Sequence, residues 1–221
     1  MAQYMPVKAG RRQWSKRILC YAFGLVIMSF GVAMSVRSEI GVAPGGVIYV
    51  AAAMFVPLTI GQCATVFHIF CIITQVIITR RPTLKHALQL PMAYVSGFLL
   101  DFFYDMLGIS FPGMVHRIIF LIAGMFVFSL GIRAIVGANV VLVPPDGLAR
   151  SIGDIFGWPM SKSKLVFDIA ATAIAALITL ILGGSAFMAV GVGTLICALG
   201  TGPLIGLYTK LLPFLDAEKQ G

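Results

Sequence analysis

Three charged residues in one short stretch, Asp146, Arg150 and Asp154, recur at every fourth position of the sequence. On a helix this spacing places them on one face, where they can form a ladder of ion pairs. The arginine of such a ladder could bind an anionic substrate while Asp146 caps or gates the site. The same face would equally suit a hydrated cytoplasmic surface, where arginine is enriched in membrane proteins. Both interpretations are compatible with the sequence.

His68, Asp101 and Asp168 are further ionisable residues inside apolar stretches. His68 and Asp168 each lie about seven residues, roughly 10 Å, inside a predicted span. Ionisable side chains at this depth usually face a cavity or a partner, and histidine titrates near neutral pH. We therefore expect the three residues to act in coupling or gating, or to be satisfied by local backbone and hydroxyl groups. His68 and Asp168 are expected near opposite membrane surfaces, too far apart to touch.

The composition indicates an integral membrane protein of the all-α class. Of the 221 residues, 59% are hydrophobic and 11% are charged, against roughly a quarter charged in soluble domains. The net charge of +8 does not indicate a nucleic-acid partner, because the basic residues stand at the ends of apolar segments. The four cysteines lack the spacing of a metal site or redox motif. We expect no metal and no cofactor.

Six apolar runs are long enough to span a bilayer, which takes about 20 residues. They are predicted at 18–36, 61–79, 86–107, 117–136, 164–182 and 185–208. Two shorter runs of about 13 residues, 44–56 and 144–156, are too short to cross. With six crossings nearly all Lys and Arg residues lie on one side, as the positive-inside rule requires, whereas eight crossings would divide them. We therefore predict two re-entrant or interfacial helices in a multi-pass bacterial inner-membrane protein with cytoplasmic termini.

The chain resembles itself at an offset of 100 residues without a gap. Matching positions include Arg17/Arg117, Gly24/Gly124, Gly31/Gly131, Pro44/Pro144 and Phe67/Phe167. Each copy contains three spans and one short helix, and an odd number of crossings gives the two copies opposite orientations. This predicts an inverted-topology repeat, as in many secondary transporters whose substrate site lies where the repeats meet. The seven-residue spacing of the paired glycines predicts close helix packing.

The predicted organisation is a basic N-terminus (1–16), repeat 1 (17–110), repeat 2 (111–210) and a tail (211–221). Both short helices begin with proline and glycine. The first turn of a helix has unpaired N–H groups and partial positive charge, and glycine permits close approach of a ligand. We predict that the two helix starts meet near the membrane midplane and attract an anion. The predicted substrate-binding residues are Pro44, Gly45, Gly46, Pro145, Asp146, Gly147 and Arg150.

The alternative is that proline and glycine only interrupt two interfacial loops, because irregular backbone must be buried in a membrane but need not bind anything. Three segments carry a family resemblance: GVAMSVRSEIGVAPGG after the first span, IGQ at the start of the next, and VPPDGLARSI in the second copy. They resemble the YczE/YitT/YyaS-like bacterial membrane proteins over about residues 15–210. The resemblance implies a small multispanning protein with a transport-like role and supplies no substrate. Gly45 and Gly46 stand where that family has a Trp-Asp pair, whereas Pro145 and Asp146 keep the acidic residue.

These features predict an inner-membrane transporter or exporter of a small organic anion or zwitterion that works by alternating access. A channel-like pore, a substrate-binding subunit of a multi-subunit importer and a membrane assembly protein are the alternatives. An enzyme is not expected, because the sequence contains no HExxH, GxSxG or paired-aspartate motif. Expected partners are a small-molecule substrate, the lipid bilayer and a second copy in a homodimer, which the packing glycines would suit.

Overall fold

The computed structural model describes residues 11–43, 45–80, 82–108, 113–183 and 191–215. These residues form eight α-helices and a terminal 3-10 helix, with no strand among them. The helices are α1 (Arg11–Arg37), α2 (Val47–Ala53), α3 (Ile60–Thr79), α4 (Leu84–Leu107), α5 (Met114–Ala138), α6 (Pro144–Phe156), α7 (Met160–Ile181) and α8 (Val192–Leu211), followed by the 3-10 helix Pro213–Leu215. The predicted all-α class is confirmed.

Five of these helices are long and apolar enough to cross a membrane: α1 from Trp14 onward, α3, α5, α7 and α8. The chain is therefore a helical, multi-pass type of membrane protein. The predicted third span corresponds to α4, whose 24 residues would reach about 36 Å. α4 also carries Asp101 and Asp105, and it is not among the five apolar helices. Residues 185–190, at the start of the predicted sixth span, lie outside the described part of the chain.

The second short helix, α6, has the predicted bounds, Pro144–Phe156. Its first turn contains two prolines, whose missing N–H groups would have had no intrahelical partner at this position. The helix ends at Gly157, which adopts a left-handed conformation with a φ of 67°. Glycine takes this conformation without the steric cost that a Cβ atom would add. Local sequence rules therefore account for both ends of α6.

The first short helix, α2, is shorter than the predicted 44–56 and covers only Val47–Ala53. Gly45 precedes it with a φ of 83°, outside the helical region, so the helix cannot begin there. Pro57 disfavours the helical conformation of the residue before it, which is consistent with an end ahead of Val56. A helix of seven residues is far too short to cross a bilayer.

α1 and α5 cross closely through four glycines at the centre of the molecule. A Cβ atom added to Gly31 would lie 2.9 Å from the carbonyl oxygen of Gly124, and one added to Gly124 would lie 3.0 Å from that of Gly31. Gly24 approaches the carbonyl oxygen of Gly131 at 3.0 Å by the same measure. The predicted packing role of these glycines is therefore seen in the structure, because only residues without a side chain allow the two backbones this close.

The remaining helices surround this central pair. α4 packs against α1 and α3, and α8 packs against α5. α2 contacts both α3 and α7, and α6 likewise contacts both α3 and α7. The order long, short, long, long occurs in α1–α4 and again in α5–α8. Each short helix is therefore held between the third helix of its own half and the third helix of the other half.

Candidate functional site

A small cavity of about 50 Å³ lies among the two short helices and the α1–α5 pair. Its walls on the α1 and α5 side are mainly apolar. The polar side chains that line it are those of Ser29, Tyr49, His68, Ser96, Asp146 and Lys164. Pockets for small-molecule ligands measure about 300 Å³ or more, so the cavity in this state has room for only a few water molecules. These polar groups therefore line a narrow space.

Four of the residues predicted to bind substrate line this cavity, namely Gly45, Gly46, Pro145 and Asp146. Gly147 and Arg150 line a separate cleft beside it. Pro44 lies outside the described residues. The starts of the two short helices, which are about 100 residues apart in the chain, thus face one common space.

The start of α6 offers few free N–H groups. Pro144 and Pro145 carry none, and the N–H groups of Gly46 and Gly147 donate to backbone oxygens three and four residues earlier, at 3.1 and 2.9 Å. Asp146 itself occupies the first turn of α6, where the partial positive charge of the helix favours a carboxylate. The start of α6 therefore does not by itself make an anion site.

Lys164 supplies the positive charge at the cavity and joins two carboxylates. Its Nζ atom lies 2.8 Å from Oδ1 of Asp146 and 2.9 Å from Oδ1 of Asp168. The Lys164 side chain is 28% exposed, and those of Asp146 and Asp168 are 13% and 17% exposed. Asp146 belongs to α6, whereas the other two lie one turn apart on α7. One ammonium is thus shared by two carboxylates that belong to different helices.

Lys164 is a functional candidate that the sequence did not single out. At the inner end of a predicted span, a lysine has the character of a topology signal. α7 begins at Met160, four residues before Lys164, so the side chain starts one turn inside the helix and reaches the cavity. The available signal was its spacing of four residues from Asp168, which is typical of an ion pair on one helix face.

His68 lines the same cavity and is 6% exposed. The Ser96 hydroxyl donates to the carbonyl oxygen of Ala93 at 2.9 Å, so its oxygen can accept a hydrogen bond from Nδ1 of His68 at 3.3 Å. In a neutral imidazole, Nε2 is then the acceptor. Among the described residues, Nε2 has no hydrogen-bond partner. This acceptor is available to whatever occupies the cavity.

Lys164 connects the surroundings of His68 and Asp168, the two residues that the sequence places near opposite membrane surfaces. His68 lines the cavity together with Lys164, and Lys164 holds Asp168. The reason is tertiary: α7 of the second half packs against α2, and α3 of the first half packs against the same helix. Both predicted coupling residues therefore belong to one polar cluster.

Arg150 is absent from the lining of the central cavity. Its Nε atom lies 3.7 Å from Oδ1 of Asp154, and both residues line the cleft beside the cavity. Asp146 binds Lys164 of α7 instead of Arg150 of its own helix. The predicted ladder along α6 is therefore corrected to one ion pair, because the start of α6 is buried against α7.

Two larger clefts flank the central cavity. We call the first the Glu39 cleft; it measures about 580 Å³ and is lined by Val36, Glu39, Gly41, Val42, Val50, Ala53, Met54, Leu58, Thr59, Ile60, Asp101, Tyr104 and Asp105. The second, the Arg150 cleft, measures about 800 Å³ and is lined by Gln75, Thr83, Lys85, His86, Gln89, Ile135, Val136, Asn139, Val140, Val141, Leu142, Gly147, Arg150, Ser151, Gly153, Asp154, Gly157 and Trp158. Each cleft is lined by a residue adjacent in sequence to one that lines the cavity: Val42 beside Ala43, and Gly147 beside Asp146.

The segment before each short helix separates the cavity from one cleft, and a hydrogen bond from the opposite half of the chain holds each of these two segments. Beside the Arg150 cleft, Gln89 of α4 donates from Nε2 to the carbonyl oxygen of Leu142 at 3.1 Å. Beside the Glu39 cleft, the backbone N–H of Val42 donates to Oγ1 of Thr194 on α8 at 3.2 Å. The extended segment before each short helix is therefore held by the fourth helix of the other half.

Asp101, a predicted coupling residue, lies in the Glu39 cleft and caps α3. Its Oδ2 atom accepts a hydrogen bond from Oγ1 of Thr59 at 2.5 Å, and its Oδ1 atom accepts one from the backbone N–H of Gly61 at 2.7 Å. A carboxylate at a helix N-terminus satisfies N–H groups that have no partner within the helix. This contact ties α4 to the start of α3.

Replacement of Asp101 by alanine is expected to lower the free energy of unfolding by about 1–2 kcal/mol, the usual cost of a lost cap. Thermal unfolding of the detergent-solubilised variant measures this change. Asp105→Ala is the matched control, because Asp105 lies one turn away on the same helix and is exposed. Equal stability of the two variants would contradict a capping role.

Among the described residues, no group of three or more His, Cys, Asp or Glu side chains could hold a metal ion. Cys20, Cys63, Cys71 and Cys197 are free thiols and lie within helices α1, α3 and α8.

Comparison with known proteins gives a family and no activity. Residues 15–210 match the family of unknown function DUF6198. The chain is also 22% identical to the uncharacterized protein YyaS of Bacillus subtilis (strain 168) over 210 residues, which cover 93% of this chain and 99% of that protein. No solved structure matches the chain. The family match extends from α1 to the end of α8 and includes every residue of the cavity, so the chain belongs to the YyaS-like family DUF6198.

Proposed function

We propose that the protein is an alternating-access transporter that carries a small zwitterion across the bacterial inner membrane. In this proposal α4 is the sixth span, α2 and α6 are re-entrant, and the two halves are inverted repeats. The observation that carries the proposal is a small cavity, lined in part by charged and polar side chains, next to two larger clefts. A transporter needs a central site that can open to either side in turn.

The lining of the cavity supports the repeat. Residues at an offset of 100 occur there in pairs: Met28/Phe128, Val32/Ile132, Ala43/Val143, Gly45/Pro145, Gly46/Asp146 and Ala64/Lys164. Equivalent positions of two inverted repeats come together only where they lie close to the axis that relates them. Pairing along the cavity wall is what such an axis through the cavity would produce.

The linings of the two clefts give independent support. A position that lines the Glu39 cleft is often matched, 100 residues later, by one that lines the Arg150 cleft: Val36/Val136, Glu39/Asn139, Val42/Leu142, Val50/Arg150, Ala53/Gly153 and Met54/Asp154. Inversion of one repeat relative to the other exchanges the two membrane surfaces. The clefts would then be equivalent entrances from opposite sides.

Charge assigns a side to each cleft in this proposal. Lys85, Arg150 and Asp154 line one cleft, whereas the charged residues that line the other, Glu39, Asp101 and Asp105, are all acidic. Basic residues are enriched on the cytoplasmic side of membrane proteins. The Arg150 cleft would therefore open to the cytoplasm, where we also expect both termini, and the Glu39 cleft would open to the outside.

A zwitterion fits the charges at the cavity better than an anion does. Asp146 and the free acceptor Nε2 of His68 can bind an ammonium group, and Lys164 can bind a carboxylate. A simple anion would add negative charge beside Asp146 and Asp168, which already share the single ammonium of Lys164. An uncompensated charge in a membrane protein is costly.

A ligand screen by thermal unfolding tests this assignment. The detergent-solubilised protein is heated with zwitterions (glycine, β-alanine, glycine betaine), with anions (acetate, succinate) and with cations (methylammonium, choline). At least one zwitterion is expected to stabilise the parent by about 2.7 kcal/mol when its concentration is a hundred times the dissociation constant. Compounds that stabilise the protein are then tested for exchange across the membrane of proteoliposomes that contain it.

Two variants make the screen specific. Asp146→Asn should lose the stabilisation, because the substrate ammonium loses its carboxylate, whereas Asp154→Asn should keep it, because that side chain is 70% exposed and lies outside the cavity. Stabilisation by anions alone, or an Asp146→Asn protein that responds like the parent, would refute the zwitterion site.

A further inference from the structure

The ammonium of Lys164 is shared between two carboxylates on different helices. Asp146 occupies the first turn of α6, while Asp168 lies one turn beyond Lys164 on α7. Two carboxylates and one ammonium leave a net charge of −1 when all three are ionised. Among the described residues, Lys164 is the side chain that bonds the carboxylate of Asp168. Asp168 therefore depends on Lys164 for its compensation.

A bound zwitterion would add a third carboxylate to this arrangement. This step rests on the proposed function, in which Lys164 binds the substrate carboxylate and Asp146 binds the substrate ammonium. Lys164 then divides its ammonium between the substrate carboxylate and Asp168, while Asp146 turns to the substrate ammonium. With all groups ionised the occupied cluster keeps a net charge of −1, and Asp168, whose side chain is 17% exposed, is the carboxylate that has no ammonium of its own. A largely buried charge without a full partner is unfavourable.

We propose that Asp168 binds one proton whenever the zwitterion occupies the site, so that substrate and proton are bound and carried together. The proton is taken up from the bulk solution, from hydronium or protonated buffer, through the open cleft and adds to one carboxylate oxygen of Asp168, so that no hydroxide is left in the site. The occupied cluster then contains the pairs Asp146 with substrate ammonium and Lys164 with substrate carboxylate, beside a neutral Asp168. Its net charge is zero, which favours movement through the membrane interior.

The other groups around the cluster are poor candidates for this proton. The helices packed against α7 are α2 and α6, and they present Tyr49 and Asp146. Asp146 is engaged by the substrate ammonium and is favoured as a carboxylate at the start of α6. A proton on His68 of α3 would remove the free acceptor at Nε2 and add a second cation beside Lys164. Tyr49 is neutral in its ordinary state and has no basic site that water could protonate.

The test measures the affinity of the zwitterion that gives the largest stabilisation among glycine, β-alanine and glycine betaine. Between about pH 5.5 and pH 8.5 the dissociation constant of the parent is expected to rise with pH, by up to about tenfold per unit. The sign follows because the bound state holds one more proton than the free state. Calorimetric titrations in two buffers of different ionisation enthalpy should give an uptake of about one proton per zwitterion.

Asp168→Asn mimics the protonated carboxyl and should bind the zwitterion with an affinity that changes less than about twofold over the same range. His68→Gln keeps a neutral acceptor and should retain the pH dependence of the parent. If Asp168→Asn does not fold, the two-buffer titration of the parent decides.

The two proposals fail in different ways. A parent protein that binds a zwitterion with no proton uptake would overturn the role of Asp168 and leave the transport site intact. An Asp168→Asn protein with unchanged pH dependence would do the same. Absence of binding by all three zwitterions would overturn the zwitterion site itself and the proton coupling with it.

Discussion

Lys164→Met is expected to lower the free energy of unfolding by about 3 kcal/mol and to abolish stabilisation by any zwitterion. Methionine keeps much of the length of the side chain but removes the ammonium that lies 2.8 and 2.9 Å from Asp146 and Asp168. Two mostly buried carboxylates would then face each other without a cation. Breaking a buried pair by removal of one partner costs about 3–5 kcal/mol, and partial exposure of Lys164 places the value at the low end.

The measurement is the apparent melting temperature in detergent, with and without ligand. A loss of about 3 kcal/mol should lower it by about 6–12 °C for a chain of this length. Lys162→Met is the matched control: Lys162 lies two residues away, is exposed, and places its Nζ atom 4.4 Å from the Trp158 ring centroid. Equal melting of the two variants would show that the Asp146–Lys164–Asp168 cluster does not contribute to stability.

Gly31→Leu is expected to prevent close packing of α1 against α5 and to destabilise the fold by at least about 3 kcal/mol. A Cβ atom at position 31 would lie 2.7 Å from the Cα atom of Phe128. The obstacle is backbone and cannot move aside as a flexible side chain could. Because this crossing forms one wall of the cavity, a shift of α1 should also weaken ligand stabilisation.

A graded series keeps this prediction testable if the leucine variant does not fold. Gly24→Ala should be milder, since its new methyl group would meet the Cγ1 atom of Ile135 at 2.9 Å, which can shift, and the backbone oxygen of Gly131 only at 3.0 Å. Gly202→Leu on α8 is the control, because a Cβ atom there meets nothing within 4 Å. From most to least stable, the expected order of the variants is Gly202→Leu, Gly24→Ala, Gly31→Leu. A Gly202→Leu protein as unstable as Gly31→Leu would contradict the packing argument, because leucine would then carry a general cost in these helices.

Several features follow from local sequence rules alone. The apolar composition determines an all-α membrane protein, because helices satisfy every backbone hydrogen bond within one segment. Pro144 and Gly157 fix the two ends of α6 through backbone geometry. The spacing of Gly24 and Gly31 indicates a packing face, and the proline and glycine at the start of each short helix identify part of the cavity lining, namely Gly45, Gly46, Pro145 and Asp146.

The partners of the charged side chains could be decided only by tertiary structure. Spacing along α6 favours Arg150 as the neighbour of Asp146, yet the ion pair forms with Lys164 of α7. The choice depends on which helix packs against the start of α6, and a sequence pattern of period 3.6 carries no information about that neighbour. The same holds for His68, whose partner Ser96 lies on α4. In this protein, sequence determined which segments are helical and where they stop, and packing between the halves decided which charges meet, because ion pairs depend on distances across helices.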